Sequence, residues 1–225
     1  GGAGNDTLIG GLGIDSMTGG TGNDTYEVDS LDDEVVEAAN GGTDTVKVNI
    51  GTDGAIYALG ANVENAIVTS TAGVWLDGND LANTLTGNAA SNLLDGGKGA
   101  DRLIGGAGDD EYIVDVAGDV ITEAAVGGGH DTVYLVFTAN GTYTMAANVE
   151  DGFIDSDVDI RVNLTGNASD NRLDGSSGTN VLMGGLGNDT LNGHGSYASL
   201  KPAPDTLDGG LGTDVAEFDG NQADY

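Results

Sequence analysis

The chain has 225 residues, 41 of them Gly and only 2 Pro, against a usual Gly share of roughly 7%, so neither a collagen triplet nor an ordinary helical domain fits. Acidic residues number 37 against 6 basic ones, and the net charge of −31 excludes a nucleic-acid binder built on a basic groove and is repelled by anionic membranes. Cys is absent, so neither disulfides nor thiolate zinc sites can staple the fold, while 29 of the acids are Asp, the residue of turns and short-reach ligation.

In chain order, the opening residues fall into units of nine: GGAGNDTLI, GGLGIDSMT and GGTGNDTYE run from Gly1 to Glu27, and the period carries a first block over 1–36. Residues 37–77 form a connecting segment with alternating runs such as Thr45-Val46-Lys47-Val48, which predict strand. A second block, 78–122, begins with the looser units GNDLANTLT and GNAASNLLD and continues with GGKGADRLI and GGAGDDEYI. Residues 123–165 form a second β-rich connector, with Thr132-Val133-Tyr134-Leu135 as its strand-like run. The third block, 166–217, reads GNASDNRLD, GSSGTNVLM, GGLGNDTLN and finally GGLGTDVAE. Between Gly193 and Asp205 the repeat is interrupted, which predicts a surface loop at 196–204 that leaves the coil intact. Residues 218–225 read as the lead into a following segment.

Each unit reads as a six-residue Gly-rich turn followed by a short strand with one inward apolar side chain. Those inward residues are Leu8, Met17, Tyr26, Leu85, Leu94, Leu103, Tyr112, Leu173, Leu182 and Leu191, with Leu207 resuming after the insertion. One such side chain per nine residues is a thin core against a backbone entropy cost of roughly 1–2 kcal/mol per residue. If two units complete a coil, residues 18 apart stack, which places Asp6 beside Asp24 and Asp15 beside Asp33. Two carboxylates about 5 Å apart repel by roughly 3 kcal/mol at an effective dielectric of about 20. A hard divalent cation reverses that sign, and Ca²⁺ suits a site of carboxylates and turn carbonyls better than Mg²⁺ or Zn²⁺.

The unit GGxGxDxUx resembles the nonapeptide of the RTX (repeats-in-toxin, hemolysin-type) calcium-binding family. The resemblance implies an all-β chain: a parallel β-roll, or β-solenoid, with calcium between successive turns, exported by a type I secretion system to the extracellular space or cell surface. Carried over position by position, the ligand candidates are Asp6, Asp15, Asp24, Asp33, Asp101, Asp110, Asp119, Asp189, Asp205 and Asp214. In the looser units the same place holds Asn83, Asn92, Asn171 and Asn180, whose neutral amides predict weaker sites or a metal-free Asn ladder. Stacking then pairs Asn83 with Asp101, Asn92 with Asp110, Asp101 with Asp119 and Asn171 with Asp189. Across the insertion it pairs Asn180 with Asp205 and Asp189 with Asp214.

The connectors repeat their acids as well: Asp29, Asp33, Glu37 and Asp44 correspond to Asp115, Asp119, Glu123 and Asp131. Either a second calcium geometry or a solvated acidic face accounts for them. No HExxH helix, GxSxG elbow or basic phosphate loop occurs, so the expectation is a non-enzyme. Trp75, the single Trp, is expected in the core rather than on a sugar-binding platform. Two functional classes stay open: a calcium-folded structural or adhesive segment of a larger secreted or cell-surface bacterial protein, or a non-catalytic, secretion-assisting appendage of a secreted enzyme. The expected partners are calcium ions, with other copies of the chain or cell-surface polysaccharide as further candidates; nucleic acid and membrane insertion are not expected.

Overall fold

The computed structural model describes residues 1–156, 160–194 and 205–217, in which every regular element is a β-strand and every strand pairing is parallel. The chain is a β-solenoid built of two compact units. One comprises Gly1–Ile113 with Gly118–Gly129, the other Val114–Ala117 with His130–Tyr225. No helix among the described residues is long and apolar enough to cross a membrane.

In the first unit one seven-stranded sheet is assembled in the order Val120–Thr122, Arg102–Ile104, Thr84–Thr86, Asn65–Val68, Thr45–Val48, Thr25–Val28, Thr7–Ile9. Its register stacks inward residues from strand to strand, since Leu8 lies opposite Tyr26, Tyr26 opposite Val46, Val46 opposite Ala66, Ala66 opposite Leu85 and Leu85 opposite Leu103. A second row of strands, Ile56–Ala58, Trp75–Asn79, Leu93–Gly97 and Glu111–Val114, aligns Tyr57, Leu76, Leu94 and Tyr112 in the same way. The segment between the first two repeat blocks therefore does not leave the coil. Its strands extend the same sheets, because Val46, Val48, Ala66 and Val68 keep the alternation that buries every second side chain.

The second unit repeats the plan. Thr132–Leu135, Asp151–Ile154, Arg172–Asp174, Thr190–Asn192 and Val215–Glu217 form one row, and Gly141–Thr144, Val162–Thr165, Asn180–Leu186 and Thr206–Leu211 the other. The loop expected at 196–204 lies outside the described residues, as does the segment 218–225. The strands flanking that loop are nonetheless in register, with Leu182 opposite Leu207 and Leu191 opposite Ala216.

The expected inward residues Tyr26, Leu85, Leu94, Leu103, Tyr112, Leu173, Leu182 and Leu191 are at most 1% exposed, and Met17 is buried too. Each such Leu, fully buried, is worth about 1.5–3 kcal/mol. Leu8 and Leu207 are half-buried. Trp75 corrects the expectation of a core residue, since it is 39% exposed while its neighbour Leu76 is fully buried. The strand pleat decides this: of two adjacent apolar residues only one can point inward, and Leu76 stacks on Tyr57 and Leu94.

Candidate metal centre

The turns are built from glycine for a steric reason. Gly20 and Gly22 adopt φ of +115° and +122°, and a Cβ at either would run into the carbonyl of Gly2 or Gly4 in the preceding coil. Backbone N–H groups of one coil donate to carbonyls of the next, as in Gly4 to Thr21 at 2.7 Å and Gly22 to Gly41 at 2.8 Å. Successive turns therefore lie in contact, and whatever occupies their sixth position is stacked coil on coil.

The stacking is made by a repeated hydrogen bond from the backbone N–H of one sixth residue to the side-chain oxygen of the next. Asp6 donates to Asp24 at 2.7 Å, Asp24 to Asp44 at 2.7 Å and Asp44 to Glu64 at 2.8 Å. On the other edge Asp15 donates to Asp33 at 3.1 Å. Further along the first unit Asn83 donates to Asp101, Asp101 to Asp119 and Asn92 to Asp110, at 2.7, 3.0 and 2.7 Å. In the second unit Asn171 donates to Asp189 at 2.8 Å, Asp189 to Asp214 at 3.0 Å and Asn180 to Asp205 at 2.8 Å. Every pair expected from the spacing is thus brought together, including the two that bridge the insertion. Most of these side chains are buried; Asp6, Asp15, Glu64 and Asp205 are half-buried and Asp214 is exposed.

Asp and Asn differ in what their second polar atom does. In the Asn turns the amide nitrogen donates to main-chain carbonyls of the preceding coil: Asn83 to Val63 and Glu64 at 3.0 and 3.2 Å, Asn92 to Val74 at 2.9 Å, Asn171 to Val149 and Glu150 at 3.0 Å each, and Asn180 to Val162 at 3.2 Å. Their amide oxygens accept N–H groups of their own turns, from Asn79, Asn88, Asn167 and Ser176, each at 2.8 Å. A carboxylate has no hydrogen to offer those carbonyls. The Oδ2 atoms of Asp6, Asp15, Asp24, Asp44 and Asp189 are buried without a donor. Asp6 Oδ2 converges with the Gly19 carbonyl over Gly1, and Asp189 Oδ2 with the Gly209 carbonyl over Gly184. Burial, then the nearby carboxylates Glu37, Glu64 and Asp24, pushes the Asp44 carboxyl above the ordinary Asp range; burial followed by Asp214 and Asp170 does the same at Asp189, and burial alone at Asp205. An all-oxygen, anionic, donor-free set of this kind fits a hard divalent cation. Asp33 differs, because its Oδ2 accepts the N–H groups of Asp29 and Ser30 at 3.1 and 3.2 Å, closing its own turn as the Asn residues do.

Two buried acids outside the strict 18-residue spacing, Glu37 and Asp44, join Asp24. Asp24, Glu37 and Asp44 each present one oxygen, and these oxygens lie within 4.8 Å of one another. At that separation each pair of charges repels by roughly 3 kcal/mol at an effective dielectric of about 20. The Tyr26 hydroxyl donates to Glu37 Oε1, and burial followed by that bond pushes the phenol well above its usual range. Asp44 and Glu64 escape the nonapeptide count because their coils are two residues longer than 18, as the register of Thr25 with Thr45 and of Thr45 with Asn65 shows. Glu37 and Asp44 are the acids that the sequence singles out by their recurrence as Glu123 and Asp131 in the second connector, whereas Glu64 is not singled out there.

A parallel β-solenoid whose Gly-rich turns stack carboxylates in rows is the class of fold this chain adopts. Comparison with known families matches residues 1–35, 77–112 and 163–195 to the RTX calcium-binding nonapeptide repeat (4 copies). The repeats of this chain are RTX calcium-binding repeats, and the segment they form is a calcium-binding structural one. No curated protein matches the chain.

Proposed function

We propose that this chain is a calcium-folded structural or adhesive segment of a larger exported protein, held at the bacterial cell surface or outside the cell after type I secretion. The observation that carries the reading is the row of buried Asp Oδ2 atoms with no donor, stacked one coil apart along the turns. Without metal these carboxylates oppose the fold; with Ca²⁺ they join its coils. In this reading Asp6, Asp15, Asp24, Asp101, Asp110, Asp119, Asp189, Asp205 and Asp214 supply ligand oxygens. Asn83, Asn92, Asn171 and Asn180, with Asp33, close turns that need no ion. Calcium then acts as a folding switch, because a ligand that binds the folded and not the unfolded chain stabilises it by mass action. A low-calcium cytosol keeps the chain extended for export and extracellular calcium folds it.

The continuity of the strands through the segment between the first two blocks favours the structural reading over an enzyme appendage. The coil itself is the extended product. The test is far-ultraviolet circular dichroism of the full chain in chelator and in millimolar calcium. The expected result is a cooperative gain of β signal on adding calcium, reversed by chelation. A chain fully folded in chelator would sink the reading.

A further inference from the structure

The nonapeptide turns account for Asp24 but not for Glu37 or the Tyr26 hydroxyl. Glu37 lies beyond the first block's strands. Its backbone carbonyl accepts Asn62 Nδ2 at 3.0 Å, a tight turn follows it with Gly41 N–H on the Ala38 carbonyl at 2.9 Å and Asn40 at φ +61°, and its carboxylate lies over Gly19. There Asp24 Oδ2, the Tyr26 hydroxyl and Glu37 Oε1 converge on the space that a Cβ at Gly19 would fill. Asp24 and Asp44 are 1% and 0% exposed, and the Oδ2 of each has no donor. The arrangement recurs in the same unit, where Asp110 Oδ2, the Tyr112 hydroxyl and Glu123 Oε1 converge over Gly105.

We propose that Asp24, Glu37 and Asp44 form a dedicated divalent-cation site of a second kind, for Ca²⁺, that pins the 37–42 turn onto the first roll; it rests on the calcium-roll reading above. Two oxygens bound to one calcium at about 2.4 Å lie at most about 4.8 Å apart, and the oxygens of these three carboxylates fall within that limit. The site draws on three separate stretches of chain: the repeat turn, the segment after Glu34–Val36, and the residue entering Thr45–Val48. Its three carboxylates exceed the charge of a stacked Asp pair, so it fills at lower calcium than the ordinary turns. Tyr26 is a positioning residue: its hydroxyl holds one Glu37 oxygen while the Ala38 N–H holds the other at 3.2 Å.

The experiment counts calcium on the full chain by equilibrium dialysis, for the parent and for Glu37→Gln, which keeps the shape and the Tyr26 contact and removes the charge. The expected result is one ion fewer per chain, the one lost being among the tightest, with β signal retained at saturating calcium. An unchanged count with unchanged affinities overturns the proposal. Where Glu37→Gln does not fold, terbium substituted for calcium gives a second reading: emission sensitised through Tyr26 falls in Tyr26→Phe, which keeps the ring packed. Undiminished emission overturns the proposal as well. A parent chain that binds no calcium at all removes the calcium-roll reading itself, a result separate from an intact count that Glu37→Gln fails to lower.

Discussion

Asn83→Asp turns an amide-closed turn into a calcium-type turn by exchanging one nitrogen for oxygen. The amide nitrogen of Asn83 donates to the carbonyls of Val63 and Glu64 at 3.0 and 3.2 Å, while its oxygen accepts the Asn79 N–H at 2.8 Å. The substitution keeps the last bond and deletes the first two. Two net hydrogen bonds of about 0.5–1.5 kcal/mol each are lost, and a buried oxygen left without a donor adds about 1–3 kcal/mol, together roughly 2–6 kcal/mol. The carbonyls themselves are not orphaned, since Val63 still accepts Asn79 Nδ2 and Glu64 the Thr84 N–H, which keeps the loss toward the lower end. At limiting calcium, where the parent is only just folded, the variant should therefore unfold at lower denaturant than its parent. In saturating calcium most of the difference should vanish, and dialysis should count an additional ion, because the introduced carboxylate would stack beneath Asp101 as Asp6 does beneath Asp24. Equal stability of variant and parent at limiting calcium would refute the idea that the amide substitutes for metal.

Two further perturbations probe the core and the charge. Leu103→Ala, at a side chain with no exposure stacked between Leu85 and Ile121, is expected to cost about 2–5 kcal/mol in calcium-saturated unfolding; a loss under about 1 kcal/mol would mean that the thin core contributes less than its burial indicates. Asp77 lies directly opposite Asp95 in its sheet, and burial followed by that neighbour raises its carboxyl above the ordinary value of 3.8. A raised folded-state carboxyl weakens the fold when ionised, so its penalty is present at pH 7 and fades as pH falls through the folded value toward the unfolded one. Asp77→Asn should be more stable than its parent at pH 7, and the gap should close on acidification; denaturant midpoints at several pH values, in saturating calcium, test this, and a destabilised variant at pH 7 would contradict it.

What the sequence by itself determined is whatever depends on a local period. Two nonapeptides make one coil, so the pairs Asp6 with Asp24, Asn92 with Asp110 and, once the interruption after Gly193 is skipped, Asp189 with Asp214 follow from counting. The inward placement of Leu94, Leu103 and Leu182 in their own strands follows likewise, because strand alternation is a property of adjacent residues. The tertiary structure decided what depends on turn length and on which face a strand turns to the core. Coils through the first connector run two residues longer than 18, so Asp44 and Glu64 join a ladder that the nonapeptide count passes over. Trp75 points outward because Leu76 is the residue in register with Tyr57 and Leu94. Asn and Asp occupy the same place in the repeat, yet only the folded backbone shows carbonyl oxygens facing that place, where an amide can donate and a carboxylate needs a cation. Glu37 and Asp24 meet only through the stacking of the coils, at a separation in the chain that the nonapeptide period does not give.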